Sequence, residues 1–368
     1  MSTHSLVKQY FALVPPYFLH LPPPLILIQP DNQECLIQHI FQSSLPEPGP
    51  TYRRQFWRRI VGYLEDVLRR HTNEDDASEI DVQEQGREEE GDGGDPEVDE
   101  RIYSALADLM ALPLEHEETS YRTFLYPLGD TEARIILLED IAVIQGGTTG
   151  LRTWKASLHL AHHIHLNTIS LPPGPIVELG AGTGFLSIFL AQRQREVIAT
   201  DLDATDGRQA PLKRLQHNVG MNHVEENVKV TPLDWADSLR PKSERPAVWE
   251  ELTSRPYTVV AADVVYDPDL IPLLVSTLRI LLHVGSTAVV SATVRNPDTI
   301  DTFVRTCEVS GIDVEVFRLD VMPKDDPTFY DNGLDSSCEV QIMRLTPSSA
   351  SMLSKESEGQ QEMMNECK

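Results

Sequence analysis

Three glycines at alternate positions, Gly180, Gly182 and Gly184, close the apolar run Ile176-Val177-Glu178-Leu179 and open a helical pattern at Phe185. A buried strand that turns through glycines into a helix belongs to open α/β sheets, whose ligands bind at the carboxyl ends of the strands. Glycine supplies unusual backbone angles there, and its missing side chain lets the main chain approach a ligand. The flanking chain alternates short β-like runs with longer helix-like runs, the pattern of a parallel sheet covered on both faces. Strands are expected over residues 134–138 and 141–144 (a hairpin), 176–179, 196–200, 228–233, 257–262, 287–293, 314–319 and 338–345, with the last two forming an antiparallel edge. Helices are expected over 153–165, 184–192, 211–221, 270–282 and 299–310. The predicted fold class is therefore α/β, a doubly wound Rossmann-like sheet.

The sequence sets this sheet within a longer chain of 368 residues. Residues 1–72 read as an N-terminal helical appendage: a Pro-rich opening precedes Phe56, Ile60, Tyr63, Leu64 and Val67 at spacings of three and four. Arginines 53, 54, 58 and 59 in this stretch read as a solvated helix face. Residues 73–102 are acidic and nearly free of large apolar side chains, so they cannot offset their ordering entropy and are expected to be a disordered linker. The sheet domain would then span 103–346, and the polar residues 347–368 would form a loose tail.

The formal charge of −26 argues against direct nucleic-acid binding, because such a chain repels phosphate backbones. Cys35, Cys307, Cys338 and Cys367 are scattered without metal-ligand spacing, which fits reduced thiols in the cytoplasm. Prolines at 15, 16 and 22–24 interrupt the N-terminal apolar runs before a membrane span could form. His159, His162, His163 and His165 crowd one helix, but no further ligand can be placed beside them, and a polar helix face is the expectation.

The glycine turn does not fit the dinucleotide spacing G-x-G-x-x-G, because Phe185 or Ser187 occupies the third glycine position. Glu178, two residues before Gly180, is a poor neighbour for a pyrophosphate and a good one for the ammonium of a methionine moiety. A cationic, phosphate-free cofactor follows. Asp201 ends the next strand, where a carboxylate can accept from both ribose hydroxyls or simply sit in a polar loop. Asp234 and Trp235 end the third strand, offering an acceptor for an adenine amine and an indole for its ring, although this Trp also suits a core. The fourth strand runs into Ala262-Asp263-Val264-Val265-Tyr266-Asp267-Pro268, which presents Asp263 and Tyr266 to an incoming amine. The competing reading there is a helix N-cap at Asp267, with Asp263 satisfying loop amides.

Together with the loop Gly147-Thr148-Thr149-Gly150-Leu151-Arg152-Thr153-Trp154, these motifs resemble the seven-β-strand protein-lysine methyltransferases over residues 121–346. The loop and the N-terminal appendage look like the branch that modifies translation elongation factor 2. This resemblance implies a seven-stranded class I methyltransferase sheet, S-adenosyl-L-methionine as cofactor and a protein substrate, with the enzyme expected to be a cytoplasmic monomer. It also implies that Trp154, Gly180, Ala181, Gly182, Asp201, Trp235 and Ala262 contact the cofactor alongside Glu178 and Asp234. Asp263 and Tyr266 would then be the D-x-x-Y pair at the lysine entrance. Two features depart from the family pattern. Lys155 follows the loop Trp where an acid is usual, and residues 201–218 form a longer stretch, which leaves the ribose acid open between Asp201 and Asp203. A methyltransferase acting on small molecules or RNA, and a non-catalytic adaptor, are the alternatives.

Overall fold

A computed structural model of the chain describes residues 2–78, 97–113, 117–141, 151–203, 211–282, 286–320, 322–323, 326–331, 333 and 337–348, with the side chains of 67 and 70–78 outside that description. It divides into two compact units, residues 1–134 with 323–333, and residues 135–322 with 334–368.

The first unit contains α1 (Thr3–Phe11), α2 (Pro24–Leu27), α3 (Pro30–Leu36) running into a π-helical turn (Ile37–Phe41), α4 (Pro50–Ser78), α5 (Glu100–Ala111) and β1 (Thr119–Leu128). Pro24 and Pro30 each occupy the first turn of a helix, where a missing N–H costs nothing. Tyr10, Phe11, Phe56, Trp57, Ile60 and Leu64 are buried and form the core of this unit. The expected helical stripe is therefore present, with Val67 outside the described side chains.

Two local expectations change here. The arginines of α4 divide: Arg58, Arg59 and Arg69 are exposed, as a solvated face requires, whereas Arg53 and Arg54 are half-buried. Arg54 donates to the carbonyls of Leu109 and Leu112, and Arg58 donates to the Met110 sulfur, so both close the C-terminal end of α5. Unpaired carbonyls and the negative end of the helix dipole favour a cation at that position. Helix also enters the acidic stretch, since α4 reaches Ser78 and α5 starts at Glu100, while residues 79–96 lie outside the described ones. The buried Gln33 explains the ordered end: its amide donates to Glu97 O and accepts from Asp99 N–H, both at 2.8 Å. Asp99 then caps α5 by accepting from Arg101 N–H.

The division between the units falls inside β2 (Thr131–Asp140), which makes a two-stranded sheet with β1. The expected hairpin of 134–138 with 141–144 is thus displaced. Its turn is Gly129-Asp130, where Gly129 takes φ +60, and residues 142–144 lie outside the description. A Gly-Asp pair between two β-rich runs was the turn signal that decided the register.

The second unit continues with α6 (Lys155–His165), β3 (Ile176–Leu179), α7 (Phe185–Gln192), β4 (Val197–Asp201), α8 (Pro211–Met221), β5 (Val228–Pro232), α9 (Val248–Thr253), β6 (Thr258–Ala262), α10 (Ile271–Leu281), β7 (Thr287–Thr293), α11 (Pro297–Val309), β8 (Ile312–Val316) and β9 (Val340–Pro347). Its sheet has seven strands in the order β5-β4-β3-β6-β7-β9-β8. The first five are mutually parallel, and β9 runs antiparallel between β7 and β8. This is the expected class I sheet with its antiparallel edge. β8 begins two residues before its expected start, directly after Gly311 at φ +78, and the tail beyond 348 lies outside the description.

Alternate residues of β3 serve opposite faces. Val177 and Leu179 join a core with Trp249 and Leu252 of α9, Leu274 and Leu278 of α10, and Phe303 of α11. On α6, His159, His162 and His163 are buried, which overturns the expected polar face. Burial pushes His159 and His162 down to about 4, so both are neutral at physiological pH. Among the described residues no group of His, Cys, Asp and Glu is arranged to hold a metal.

Two asparagines of the α8 segment pair with β2 as a strand would. Asn222 accepts from Ile136 N–H at 2.8 Å and donates to Ile136 O at 2.7 Å. Asn218, fully buried, accepts from Leu138 N–H at 2.8 Å and donates to Leu138 O and Thr183 O. Asn218→Ala strands these buried groups and should lower unfolding free energy by about 2–3 kcal/mol in urea titrations, whereas the less buried Asn222→Ala should cost about 1 kcal/mol.

Candidate active site

The order of the parallel strands reverses between β3 and β6, because the chain leaves β3 for β4 and β5 and returns on the other side at β6. Side chains that end these strands converge at their carboxyl edge, where open sheets bind ligands.

The turn after β3 runs through three left-handed glycines, with φ of +67 at Gly180, +54 at Gly182 and +86 at Gly184. Ala181 N–H donates to Thr200 O at 2.9 Å, and Gly184 N–H to Ala181 O at 2.8 Å. A Cβ at Gly180 would meet Val264 Cγ1 at 2.8 Å, with the Trp235 ring at 3.7 Å. The missing side chain is therefore what lets the β3 turn and the residues after β6 pack together, with the Trp235 indole lying over Gly180.

Asp201 ties this turn to β4. Its Oδ2 accepts from Gly182 N–H and its Oδ1 from Leu202 N–H, each at 2.7 Å. A carboxylate offers about four acceptor sites, so one remains on each oxygen. Burial raises its pKa against those two amides. Asp203 is exposed beyond the strand end.

Glu178 is buried in β3, on the face that meets α7, and accepts from the Ser187 hydroxyl. Burial pushes its carboxyl up to about 8, against the Ser187 bond and with help from the nearby Asp201 charge. Asp234 is exposed and caps the turn Trp235–Leu239 by accepting from Ala236 N–H at 2.8 Å. Ala262 is half-buried at the last position of β6.

Trp154 sits at the N-cap of α6, held from both sides. The Thr153 hydroxyl meets that of Thr183 in the glycine turn at 2.7 Å, and Thr153 N–H donates to Glu139 at 3.2 Å. Lys155 donates to Cys338 O at 2.8 Å, which gives the unusual cation after the Trp a structural partner. Residues 142–150 of the preceding loop lie outside the description.

Asp263 and Tyr266 part company. Tyr266 is 48% exposed, whereas the Asp263 side chain is 3% exposed. Asp263 Oδ1 accepts from Arg295 Nη1 at 3.0 Å and Thr293 N–H at 3.3 Å; its Oδ2 accepts from Arg295 Nη2 at 2.9 Å and the Thr293 hydroxyl at 3.3 Å. All four acceptor sites are taken. The residue also holds a left-handed backbone, φ +58, that a non-glycine adopts only when its surroundings enforce it. Asp267 caps the turn Pro268–Leu270 before α10, as the alternative reading of that motif required. Arg295, absent from the sequence reading, lies with its guanidinium 4.9 Å from the centre of the Trp154 ring. Its signal was a lone cation two residues beyond an apolar strand, adjacent in the sheet to the strand carrying the D-x-x-Y motif.

The glycine cradle and its acids fit a cofactor with an ammonium and a ribose and without phosphates: among the described residues, Glu178 and Asp201 accept from the Ser187 hydroxyl and from the Gly182 and Leu202 amides, and from no cation. The sequence profile of the lysine methyltransferases matches residues 137–308. The chain is 29% identical over 316 residues to the protein-lysine N-methyltransferase EFM3 of Chaetomium thermophilum, covering 82% of this chain and 86% of that one. With the human protein-lysine N-methyltransferase EEF2KMT it shares 31% identity over 266 residues, 67% of this chain and 73% of that one. The chain belongs to the lysine methyltransferase family. It is thus an S-adenosylmethionine-dependent protein-lysine N-methyltransferase of the EFM3 and EEF2KMT branch. Among solved structures, Pyrococcus horikoshii TYW2 in complex with MeSAdo is 18% identical over 67% of this chain and 81% of that one, with a TM-score of 0.36. Such a loose superposition adds nothing to the strand order, which carries the fold assignment.

Glu178 provides a pH test. Its pKa is raised from 4.5 to about 8, so between those values the folded chain holds a proton that the unfolded chain has lost, and stability falls as pH rises. Near pH 6.5 the unfolded chain still holds protons on His159, His162, His163 and His165, whose folded values burial lowers, and this opposes the Glu178 effect, so comparison with Glu178→Gln isolates it. In the cofactor-free protein, Glu178 should contribute a downward slope on the order of 1 kcal/mol per pH unit between 6.5 and 8 to the stability measured by chemical denaturation. Glu178→Gln should flatten that slope.

Proposed function

We propose that this enzyme methylates a lysine of translation elongation factor 2, with Tyr266 at the entrance and the glycine turn beneath it. The observation that carries the reading is the pairing of an acid-lined glycine cradle at the end of β3 with an exposed phenol just beyond β6. Similarity to EFM3 and EEF2KMT supports the choice of protein, as does the resemblance of the Gly147 to Trp154 loop to the elongation factor 2 branch. No helix among the described residues is long and apolar enough to cross a membrane; the reading takes the enzyme to be a cytoplasmic monomer.

S-adenosylmethionine, when bound, supplies a methyl group on a sulfonium, open to in-line displacement by a neutral amine. The residues assigned to it are Trp154, Glu178, Gly180, Ala181, Gly182, Asp201, Asp234, Trp235 and Ala262. Glu178 carries a proton at neutral pH in the protein alone; an ammonium beside it favours the carboxylate and releases that proton. Asp201 keeps one acceptor site per oxygen for the two ribose hydroxyls while its other sites hold the turn. The incoming lysine is protonated in water and must shed its proton before it can attack. Tyr266 offers a phenolic oxygen that accepts from the amine and orients its lone pair, and the rate gain comes mainly from that alignment. Asp263 has no acceptor site left for the amine, so its part in the D-x-x-Y motif is to fix the turn that carries Tyr266.

Incubation of the purified protein with labelled cofactor and purified elongation factor 2 should label the factor on a lysine. Tyr266→Phe should lower kcat about a hundredfold while leaving cofactor Kd within about threefold. Labelling of a different cytosolic protein in place of the factor would overturn the substrate assignment.

A further inference from the structure

Asp263 and Trp154 enter the sequence reading as separate site residues, one for the substrate and one for the cofactor. The geometry assigns to Arg295 the role of a positioning residue that locks them together, an inference that rests on the enzyme reading given above. The guanidinium makes a bidentate pair with Asp263 and lies against the face of the Trp154 indole. One planar cation thereby spans the D-x-x-Y turn and the N-cap of α6.

Arginine suits this task for two reasons. Its fork matches both carboxylate oxygens and fixes the plane of the guanidinium, and a fixed plane can stack on an aromatic ring. Lysine, a point charge on a flexible stem, can neutralise Asp263 but cannot hold that plane. Asp263 in turn orients the cation through a carboxylate that Thr293 grips from the backbone and the hydroxyl, so the whole assembly is anchored in β7. The Arg295 side chain is 33% exposed, which leaves the stacked pair open to solvent on one side.

The column also explains why the D-x-x-Y acid is saturated. An Asp263 with spare acceptor capacity would serve the lysine directly; this one holds the turn and the indole in one register. Trp154 is held independently through Thr153 and Thr183, so the glycine turn, the indole and the Tyr266 turn form a continuous support around the reaction site. Loss of Arg295 would uncouple the Tyr266 turn from the indole without removing any group that touches the methyl or the amine.

The test uses the full-length chain, with cofactor Kd from calorimetry and kcat and KM from transfer to the protein substrate. Arg295→Met should weaken cofactor binding and lower kcat by about tenfold each, with the KM for the protein substrate unchanged within about threefold. Arg295→Lys should restore the melting temperature of the cofactor-free protein but not the Kd. Trp154→Leu should lose at least as much affinity as Arg295→Met, since it also removes a residue assigned to the cofactor, and the double variant should be no worse than Trp154→Leu, because both break the same contact. Additive losses in the double variant, or a Kd and kcat for Arg295→Met within about twofold of wild type, overturn the assignment. Should Arg295→Met fail to fold, Trp154→Phe decides: it keeps an aromatic face and should lose at least fivefold less affinity than Trp154→Leu, and equal losses overturn the assignment. Wild-type protein that binds no cofactor overturns the enzyme reading itself, an outcome distinct from normal wild-type binding with additive variants.

Discussion

The close approach of the β3 turn to the residues after β6 is the constraint on which the site depends. With Val264 Cγ1 only 2.8 Å from where a Gly180 Cβ would stand, and with Trp235 next to it, only a glycine fits. The left-handed backbone at Gly180, Gly182 and Gly184 then directs the amide of Gly182 at Asp201. Removal of side chains from this turn thus joins three strand ends into one surface. Among the described residues, the donors to Glu178 and Asp201 there are a hydroxyl and two backbone amides.

Carboxylates in this protein divide by how many acceptor sites the protein itself uses. Asp201 gives about half of its capacity to the backbone and keeps the rest. Asp263 gives all of its capacity to Thr293 and Arg295. Glu178 gains a hydroxyl partner but so little solvent that it stays protonated near neutrality. The same functional group thus stands half-used, saturated or protonated according to its donors and its burial.

Much of this could be read from the chain itself. The strand before Gly180, the acids that end β3, β4 and β5, and the D-x-x-Y string have local signatures of hydrophobic run, glycine spacing and strand-end charge. Strand 287–293 and helix 211–221 fell on their observed bounds, the first as a short apolar run and the second through Leu212, Leu215 and Val219 at helical spacing. The failures involve partners distant in sequence. The Gln33 amide that orders residues 97–99 lies 64 residues away from the nearer of its two contacts, and nothing near the acidic run announces it. The burial of His159, His162 and His163 follows from where α6 lies on the sheet, which a helical wheel does not record. Arg295 was invisible for the same reason: its importance comes from Asp263, 32 positions earlier, and from Trp154.

The asparagine pairing on β2 has a consequence beyond stability. Without partners, the N–H and C=O groups of Ile136 and Leu138 would leave an open ladder, which invites another chain to add a strand. Asn218 of α8 and Asn222 of the turn after it occupy those groups, which ends the ladder with side chains that cannot propagate it. The protein thus blocks intermolecular strand addition, and with it a route to aggregation, at two amides that also brace its catalytic unit.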